Sequence, residues 1–350
     1  MKVLINQFLT VAIRRNLVRN LRQLCVNENE SHLDDPLLQK PAQKILKVAI
    51  IGMPNAGKSS IINNLMDRKV CAASSKVHTT RVKATAVFTQ GDSQIVFLDT
   101  PGLVNSKEQK KHNLESSFVK DINYSLKQAD TIAVIHDVSN SYLRERLDIK
   151  ILNFLENYNQ IPSFLILNKI DILKSKRKLL EITRLLTENS INGKAMPNSI
   201  RKIEDSEYKG WPHFKEIFMV SALTGDGLED VKNYLLCQAK PGNWLYSEEV
   251  WTDQLPEQII QNTVKATFLD FLPQEIPYRL KPQIELLDFN KEGVITTVVL
   301  VKCPSKRIAT LVAGASDGRL RQITEAVQKN LQDAFQTYVR LKILLESKDE

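Results

Sequence analysis

Eight consecutive residues near the start of the chain have the types and spacing of a phosphate-binding loop. The segment 52–59 reads GMPNAGKS, which matches the pattern G-x-x-x-x-G-K-[ST]. Its glycines let backbone N–H groups close on phosphate oxygens at a helix N-terminus. Lys58 is expected to reach the outer phosphates and the Ser59 hydroxyl to ligate Mg²⁺. The pattern predicts a nucleoside triphosphate site, with contacts from Gly52, Asn55, Ala56, Gly57, Lys58, Ser59 and Ser60.

Short apolar runs stand directly before this loop and before three other polar clusters. The runs cover residues 47–51, 95–98, 164–167 and 217–220, and each is typical of a buried strand. Because the carboxyl ends of parallel strands meet at one edge of a sheet, the clusters are expected to surround one bound nucleotide. The sequence therefore predicts an α/β domain over residues 45–240, with a mixed, mostly parallel sheet and flanking helices.

Two of these clusters carry carboxylates that suit a nucleotide. Asp99 ends its strand, where it can hold the water shell of Mg²⁺. Asn168-Lys169-Ile170-Asp171 follows the next run, and a carboxylate there can accept both N1–H and N2–H₂ of guanine, a pair that adenine cannot present. The predicted nucleotide is therefore GTP rather than ATP, with contacts from Asp99, Asn168, Lys169 and Asp171.

In order and spacing the clusters resemble those of the translation-factor-like GTPases. The resemblance implies that Ser221-Ala222-Leu223 contacts the guanine O6 through a backbone N–H, and that the backbone of Gly102 senses the γ-phosphate. In Thr79-Thr80-Arg81, Thr80 is the predicted Mg²⁺ ligand of the first switch, with Thr79 as the alternative and a solvated turn as the other interpretation. The implied catalytic residues are Lys58, Thr80 and Gly102, and the implied metal ligands are Ser59, Thr80 and Asp99.

Two further positions bear on the rate of hydrolysis. Leu103 stands where Ras-like enzymes carry the glutamine that orients the attacking water, and a leucine cannot do this. In potassium-activated relatives the position of Asn55 helps to hold K⁺ beside the phosphates, whereas the alternative is that Asn55 only braces the loop. Slow turnover is the prediction, with K⁺ as a candidate cofactor.

The second half of the chain has a different pattern. Lys240-Pro241-Gly242-Asn243 ends a helix and marks a boundary, and residues 241–350 then read as helix, strand, strand, helix, helix, strand. A glycine turn, Gly314-Ala315-Ser316-Asp317-Gly318, separates the last two helices. This order resembles a type II KH domain, whose G-x-x-G turn clamps the backbone of about four single-stranded nucleotides. The prediction is a smaller α+β RNA-binding domain.

Taken together, residues 45 to 345 resemble the Era GTPases, and the arginine-rich residues 1–27, which contain no acidic residue, make the mitochondrial members the nearest. Outside the clusters above, the resemblance is carried by Trp244-Leu245-Tyr246, Thr252-Asp253, residues 256–260 and residues 272–278. Membership implies a GTP-controlled chaperone of small-subunit rRNA in which the KH domain binds a single-stranded segment near the rRNA 3′ end. The implied partners are that rRNA and the mitochondrial small ribosomal subunit, and the chain is expected to be a monomer.

The glycine turn departs from the family pattern at Asp317, which stands where the second glycine belongs. Either Gly318 takes that role in a shifted turn, or the surface binds RNA more weakly, because a carboxylate repels phosphate. A plain turn between helices is the third interpretation. The surrounding residues 302–342 contain eight basic and three acidic side chains, which gives this stretch a net charge of +5. The predicted RNA contacts are Lys306, Arg307, Gly314, Ala315, Ser316, Gly318, Arg319 and Arg321.

The first 27 residues carry five positive charges and no negative one, in an arginine-rich amphipathic pattern. This predicts a mitochondrial transit peptide, followed by a linker over residues 28–44, although a surface helix or an RNA-binding arm has the same pattern. The expected location is the matrix, and contact with the inner membrane through basic faces stays open. Of the net charge of +8, only +3 belongs to residues 28–350, so the overall charge is a poor argument for RNA binding.

Composition excludes other classes of protein. With 43% hydrophobic residues, 12 Gly and 13 Pro, the chain is neither collagen-like nor mostly disordered. No apolar run approaches the roughly 18 residues of a membrane span, and four scattered cysteines form no zinc or disulfide pattern. The rival function is a signalling switch whose C-terminal domain binds protein rather than RNA.

Overall fold

The computed structural model of the chain describes residues 42–72, 84–99, 117–173, 175–196, 210–273, 275–290 and 293–347. These residues contain two main sheets with separate hydrophobic cores. Among them, no helix has both the length and the apolar character needed to cross a membrane.

The first domain is built on a seven-stranded sheet. Along the sheet the strands lie in the order β2-β3-β1-β4-β5-β8, and the short β9 pairs with β1. All pairings are parallel except those of β2 with β3 and β9 with β1, which confirms the predicted mixed, mostly parallel sheet. The strands are β1 (Lys44–Gly52), β2 (Ala84–Gln90), β3 (Ser93–Asp99), β4 (Thr131–Asp137), β5 (Ser163–Asn168), β8 (Phe214–Val220) and β9 (Lys240–Pro241).

Helices cover both faces of this sheet because its strands are apolar on both sides. In β1, Leu46, Val48 and Ile50 belong to one core, whereas Ala49 and Ile51 belong to the other. The first core includes α1 and α5, and the second includes α2, α3 and α4. A small hairpin, β6 (Ser190–Ile191) with β7 (Lys194–Ala195), follows α4. The helices are α1 (Lys58–Leu65), α2 (Ser117–Gln128), α3 (Ile149–Asn157), α4 (Lys176–Leu186) and α5 (Leu228–Gln238).

The second domain has a three-stranded sheet covered by helices on one face. The order is β10-β11-β12, with β10 antiparallel and β12 parallel to the central β11. Buried residues of β11 and β12 share one core with the helices. The predicted order of helices and strands is confirmed, with one short extra helix, α7. The elements are α6 (Pro256–Phe271), α7 (Ile276–Arg279), β10 (Lys281–Phe289), β11 (Ile295–Cys303), α8 (Lys306–Ala313), α9 (Gly318–Phe335) and β12 (Val339–Ser347).

Residues 241–254, which follow the predicted boundary, pack against the sheet of the first domain. The buried side-chain amide of Gln94 both donates to and accepts from the backbone of Tyr246, at 2.9 and 3.1 Å. Further along, the Asp253 carboxylate accepts a hydrogen bond from the backbone N–H of Thr85 at 3.0 Å. Residues 241–254, which connect the two domains, are therefore attached to β2 and β3 of the first sheet.

Direct contacts join the two domains beside α1. The Lys69 ammonium lies 3.3 Å from the Asp333 carboxylate of α9 and also donates to Asn330. Trp251, in the connecting residues 241–254, packs edge-on against Phe335 of α9, with ring centroids 6.1 Å apart. The helix that starts at the phosphate loop thus leads, through a short turn, to the last helix of the second domain.

Candidate functional site

The phosphate loop connects β1 to α1, and its own lysine folds back into it. The Lys58 side chain is buried, and its Nζ donates to the carbonyl oxygens of Gly52 and Met53 at 3.1 and 3.0 Å. The ammonium therefore lies at the N-terminal end of α1, where the helix dipole adds further positive potential. This combination suits a group with several anionic oxygens, such as a polyphosphate.

Two glycines of the loop are required by conformation or by space. Gly57 has φ 97° and ψ 20°, a left-handed conformation that favours glycine, and a Cβ there would collide with the side-chain amide of Asn168. A Cβ on Gly52 would lie 2.5 Å from the carbonyl oxygen of Ile135 on β4. The loop can pack against β4 and β5 only because both side chains are absent.

Asn168 joins the phosphate loop to two other predicted clusters. Its side chain is 1% exposed. Its Nδ2 donates to the carbonyl oxygen of Ala56 at 2.8 Å, and its Oδ1 accepts from the backbone N–H of Ala222 at 3.0 Å. The ends of β5 and β8 are thereby attached to the phosphate loop, so the structure brings these sequence-predicted residues into one place.

Asp171 is oriented by the cluster that follows β8. Its Oδ1 accepts a hydrogen bond of 2.6 Å from the hydroxyl of Ser221, which is fully buried. The same hydroxyl accepts from the backbone N–H of Thr224 at 3.2 Å. Asp171 is solvent-exposed, so its carboxylate is held in place while a ligand can still approach it. Leu223 is 85% exposed, so its side chain does little to hold this loop in place.

Lys169 contacts a residue that the sequence reasoning missed. Its Nζ lies 2.6 Å from Oδ2 of Asp137, the last residue of β4. The backbone of Lys169 has φ 69°, which is uncommon for a residue with a side chain. The available signal was that Asp137 ends an apolar strand, as Asp99 and Asn168 do, but its partner depends on β4 lying beside β5.

A buried histidine, His136, precedes Asp137 at this edge of the sheet. Nε2 of His136 lies 3.1 Å from the carbonyl oxygen of Arg144. Because a carbonyl only accepts, the contact requires the ring proton on Nε2. Burial lowers the pKa of His136 below its ordinary value, against the opposing effects of the Arg144 carbonyl and the Asp137 charge. The ring is therefore neutral near pH 7.

Several predicted residues have little or no structural description. Thr79, Thr80, Gly102 and Leu103 lie outside the described residues. Asp99 has a described backbone, which ends β3 opposite Ile50 of β1 and beside the phosphate loop. Within the described ranges, no group of three or more His, Cys, Asp or Glu side chains is placed to hold a metal ion. The Mg²⁺ ligands Ser59, Thr80 and Asp99 stay predictions.

The glycine turn of the second domain has a defined and unusual backbone. Gly314 has φ 73°, and a Cβ there would lie 2.8 Å from the Cβ of Arg319. Ser316 and Asp317 follow with φ 49° and 58°, whereas Gly318 is helical at −62° and has open space around it. The fold therefore requires glycine only at the first position, and Asp317 occupies a left-handed position that would suit glycine.

The basic residues of this domain do not all surround the turn. Arg307 and Arg321 are exposed on α8 and α9, whereas Arg319 donates to the carbonyl oxygen of Leu311 at 2.6 Å and so joins the two helices. Lys306 is seven residues before Ala313 along α8, about 10 Å from the turn. Arg340 lies opposite the outward-facing Thr296 on the other face of the sheet. The local charge of +5 is thus divided between two faces.

Comparisons with known proteins agree with this geometry. Residues 47–169 match the family described as 50S ribosome-binding GTPase. The mitochondrial GTPase Era of Danio rerio is 38% identical over 344 residues, which cover 88% of this chain and 77% of that protein. The mitochondrial GTPase Era of Salmo salar is 36% identical, with coverage of 89% and 78%.

The fold is also found among solved structures. The crystal structure of Era in complex with MgGDPNP and nucleotides 1506–1542 of 16S ribosomal RNA superimposes with a TM-score of 0.67, at 24% identity, over 88% of this chain and 95% of that one. At this identity the match concerns the fold alone. The sequence relationship and the assembled nucleotide site lead to the same conclusion, which is that the chain belongs to the Era family of GTPases.

Proposed function

We propose that the chain is a GTP-binding and GTP-hydrolysing assembly factor that binds mitochondrial small-subunit rRNA through its second domain. The observation that carries the nucleotide part is Asn168, whose buried amide attaches the phosphate loop to the clusters that end β5 and β8. The names of the relatives, mitochondrial GTPase Era, support the organelle, and the RNA in the related crystal structure supports the partner.

The residues of the site fit GTP with Mg²⁺. Lys58 would bind the outer phosphates, and Ser59, Thr80 and Asp99 would hold the metal. When bound, Mg²⁺ neutralises charge on the phosphate oxygens. The Asp171 carboxylate, oriented by Ser221, accepts N1–H and N2–H₂ of guanine, while the backbone of residues 221–223 meets O6.

Hydrolysis is expected to be slow without a partner. Leu103 cannot orient a water molecule by hydrogen bonding, and Asn55, with φ 60° in the phosphate loop, is the candidate residue for holding K⁺ beside the phosphates. Single-turnover hydrolysis of GTP in NaCl and in KCl tests this. Faster cleavage in KCl that is lost in Asn55→Ala supports the K⁺ role. Rapid cleavage at equal rates in both salts contradicts it.

The second domain is proposed to hold a single-stranded rRNA segment at the glycine turn. The supporting features are the type II KH order of elements, the solvent-exposed residues 315–318 of the turn and the exposed Arg307 and Arg321. In this proposal the monomeric chain works in the matrix after the first 27 residues are removed, and nucleotide state controls its hold on the RNA.

An RNA titration with the purified chain tests the proposal. The probe is a fluorescent single-stranded RNA with the 3′-terminal sequence of the mitochondrial small-subunit rRNA, and its anisotropy is followed at several salt concentrations. Arg307→Ala/Arg321→Ala removes two exposed cations, so the slope of log affinity against log salt should become shallower by about 1.4. The matched control, Lys194→Ala/Lys215→Ala, removes two exposed cations of the first domain and should change nothing. Equal effects of both pairs, or no binding by the wild type, would contradict RNA binding at this turn.

A further inference from the structure

Asp137 contacts the guanine-reading loop from the neighbouring strand. It ends β4 and lies in register with Asn168, which ends β5. Its Oδ2 accepts a 2.6 Å hydrogen bond from Nζ of Lys169, and both side chains are partly buried. Partial burial strengthens such a pair relative to an exposed one, because water screens it less. The ammonium of Lys169 is therefore directed towards β4.

The Asp137 carboxylate is itself fixed in orientation. Its other oxygen, Oδ1, accepts hydrogen bonds from the backbone N–H and the hydroxyl of Ser139, at 2.8 and 2.6 Å. Because these two donors already hold the carboxylate, it needs little reorganisation when it binds a cation. Asp137 is thus oriented to bind the ammonium of Lys169. Among the ion pairs of the described residues, it pairs with no other charge.

Without this partner, the Lys169 ammonium would have a second carboxylate within reach. Asp171 is two residues further along, so the two Cα atoms are at most about 7 Å apart, a distance that a flexible lysine stem spans. One oxygen of Asp171 already accepts from Ser221. A lysine on the other oxygen would occupy the acceptor that N1–H and N2–H₂ of guanine require.

We propose that Asp137 is a specificity-determining positioning residue: it sequesters the ammonium of Lys169 and keeps the Asp171 carboxylate available to the guanine edge. Asp137 acts through Lys169 and does not touch the nucleotide. The inference rests on the proposed role of Asp171 in reading guanine. It places part of the base selectivity on a strand outside the recognised sequence clusters.

Equilibrium binding of labelled GDP and IDP to the full chain with Mg²⁺ tests the proposal, because inosine lacks the N2 amino group. Asp137→Asn should reduce the preference for GDP over IDP roughly tenfold, which corresponds to about 1.4 kcal/mol, near the value of one hydrogen bond to a charged acceptor. Lys169→Met keeps the stem without the charge, so adding Asp137→Asn to it should leave the GDP/IDP ratio of the Lys169→Met variant unchanged, whatever that variant's own affinity. The matched control is Asp148→Asn at the N-cap of α3, and it should behave as the wild type.

The alternative results separate the inference from the proposed function. If Asp137→Asn weakens GDP and IDP equally, or if it lowers the preference as much in the Lys169→Met background as in the wild type, Asp137 has only a structural role and the inference is wrong. Should the Asn variant unfold, Asp137→Glu keeps the charge and is expected to keep the preference, and its loss there would overturn the inference. A wild type that does not prefer GDP would instead contradict the guanine-reading role of Asp171.

Discussion

Replacing Asn168 by alanine removes the side chain that connects the phosphate loop to the cluster after β8. The side chain is 1% exposed and bonds Ala56 O at 2.8 Å and Ala222 N at 3.0 Å. The truncation leaves a buried carbonyl at Ala56 and a half-buried N–H at Ala222 without these partners. The phosphate loop and the cluster after β8 then lose their common attachment.

The expected cost follows from those two groups. A buried polar group left without its partner costs about 1 to 3 kcal/mol, and a half-buried one costs less because water can replace the bond. Together, the two unpartnered groups should lower the free energy of unfolding by about 2 to 4 kcal/mol. For a domain of this size each 1 kcal/mol lowers the melting temperature by about 2 to 4 °C, so the first domain should melt roughly 5 to 15 °C earlier.

Thermal unfolding of the nucleotide-free chain, followed by circular dichroism, measures this cost. The matched control is Asn64→Ala, because Asn64 also donates to Ala222, at its carbonyl oxygen, but is solvent-exposed. The control should lower the melting temperature by no more than about 2 °C, since water replaces its bonds. Equal melting temperatures for Asn168→Ala and Asn64→Ala would refute the reasoning.

Three further outcomes are expected. Because burial lowers the pKa of His136, the unfolded chain takes up a proton at this residue below about pH 6.5 that the folded chain does not. The stability measured by urea unfolding should therefore fall as the pH drops below that value, and the fall should be smaller in His136→Gln; an equal fall would contradict it. Gly57→Ala should weaken GTP binding at least about tenfold in a filter-binding assay, because its left-handed backbone and its contact with Asn168 exclude a Cβ; unchanged affinity would contradict the loop geometry. Gly314→Ala should lower the stability of the second domain in urea by about 1 to 2 kcal/mol, because φ of Gly314 is 73° and Arg319 occupies the space that an added Cβ would need. A variant as stable as the wild type would contradict this description of the turn.

The strands and the phosphate loop were predictable because their signals are local. An apolar run followed by G-x-x-x-x-G-K-[ST] specifies strand, loop and helix within about 20 residues, and the polar clusters at the ends of β5 and β8 repeat the same arrangement. Parallel strands then bring these ends together, so the contact of Asn168 with Ala222 was implied by fold class although 54 residues separate the two.

Other features depend on contacts that no local pattern contains. Asp137 becomes part of the site only because β4 and β5 are neighbours in register. The docking of residues 241–254 depends on Gln94, whose buried amide replaces a backbone partner for Tyr246. Such a pairing has no period and no motif, so the sequence signalled the boundary only through the helix break at Lys240-Pro241-Gly242-Asn243.

The glycine turn shows the same limit at smaller scale. Its position between two helices was predictable, but the φ values that separate the roles of Gly314, Asp317 and Gly318 were not. Counting basic residues near the turn also overestimated their concentration there. Alternation along β12 sends Arg340 to the far face, and Arg319 is engaged with Leu311.

Binding of small-subunit rRNA in the cell can be measured by crosslinking in intact mitochondria, purification of the tagged chain and sequencing of the bound RNA. The proposed function predicts recovery of small-subunit rRNA near its 3′ end by the wild type, a marked loss with Arg307→Ala/Arg321→Ala, and no loss with Lys194→Ala/Lys215→Ala. If the wild type recovers proteins but not this rRNA, the proposed function is wrong, and the result would indicate a switch whose second domain binds protein.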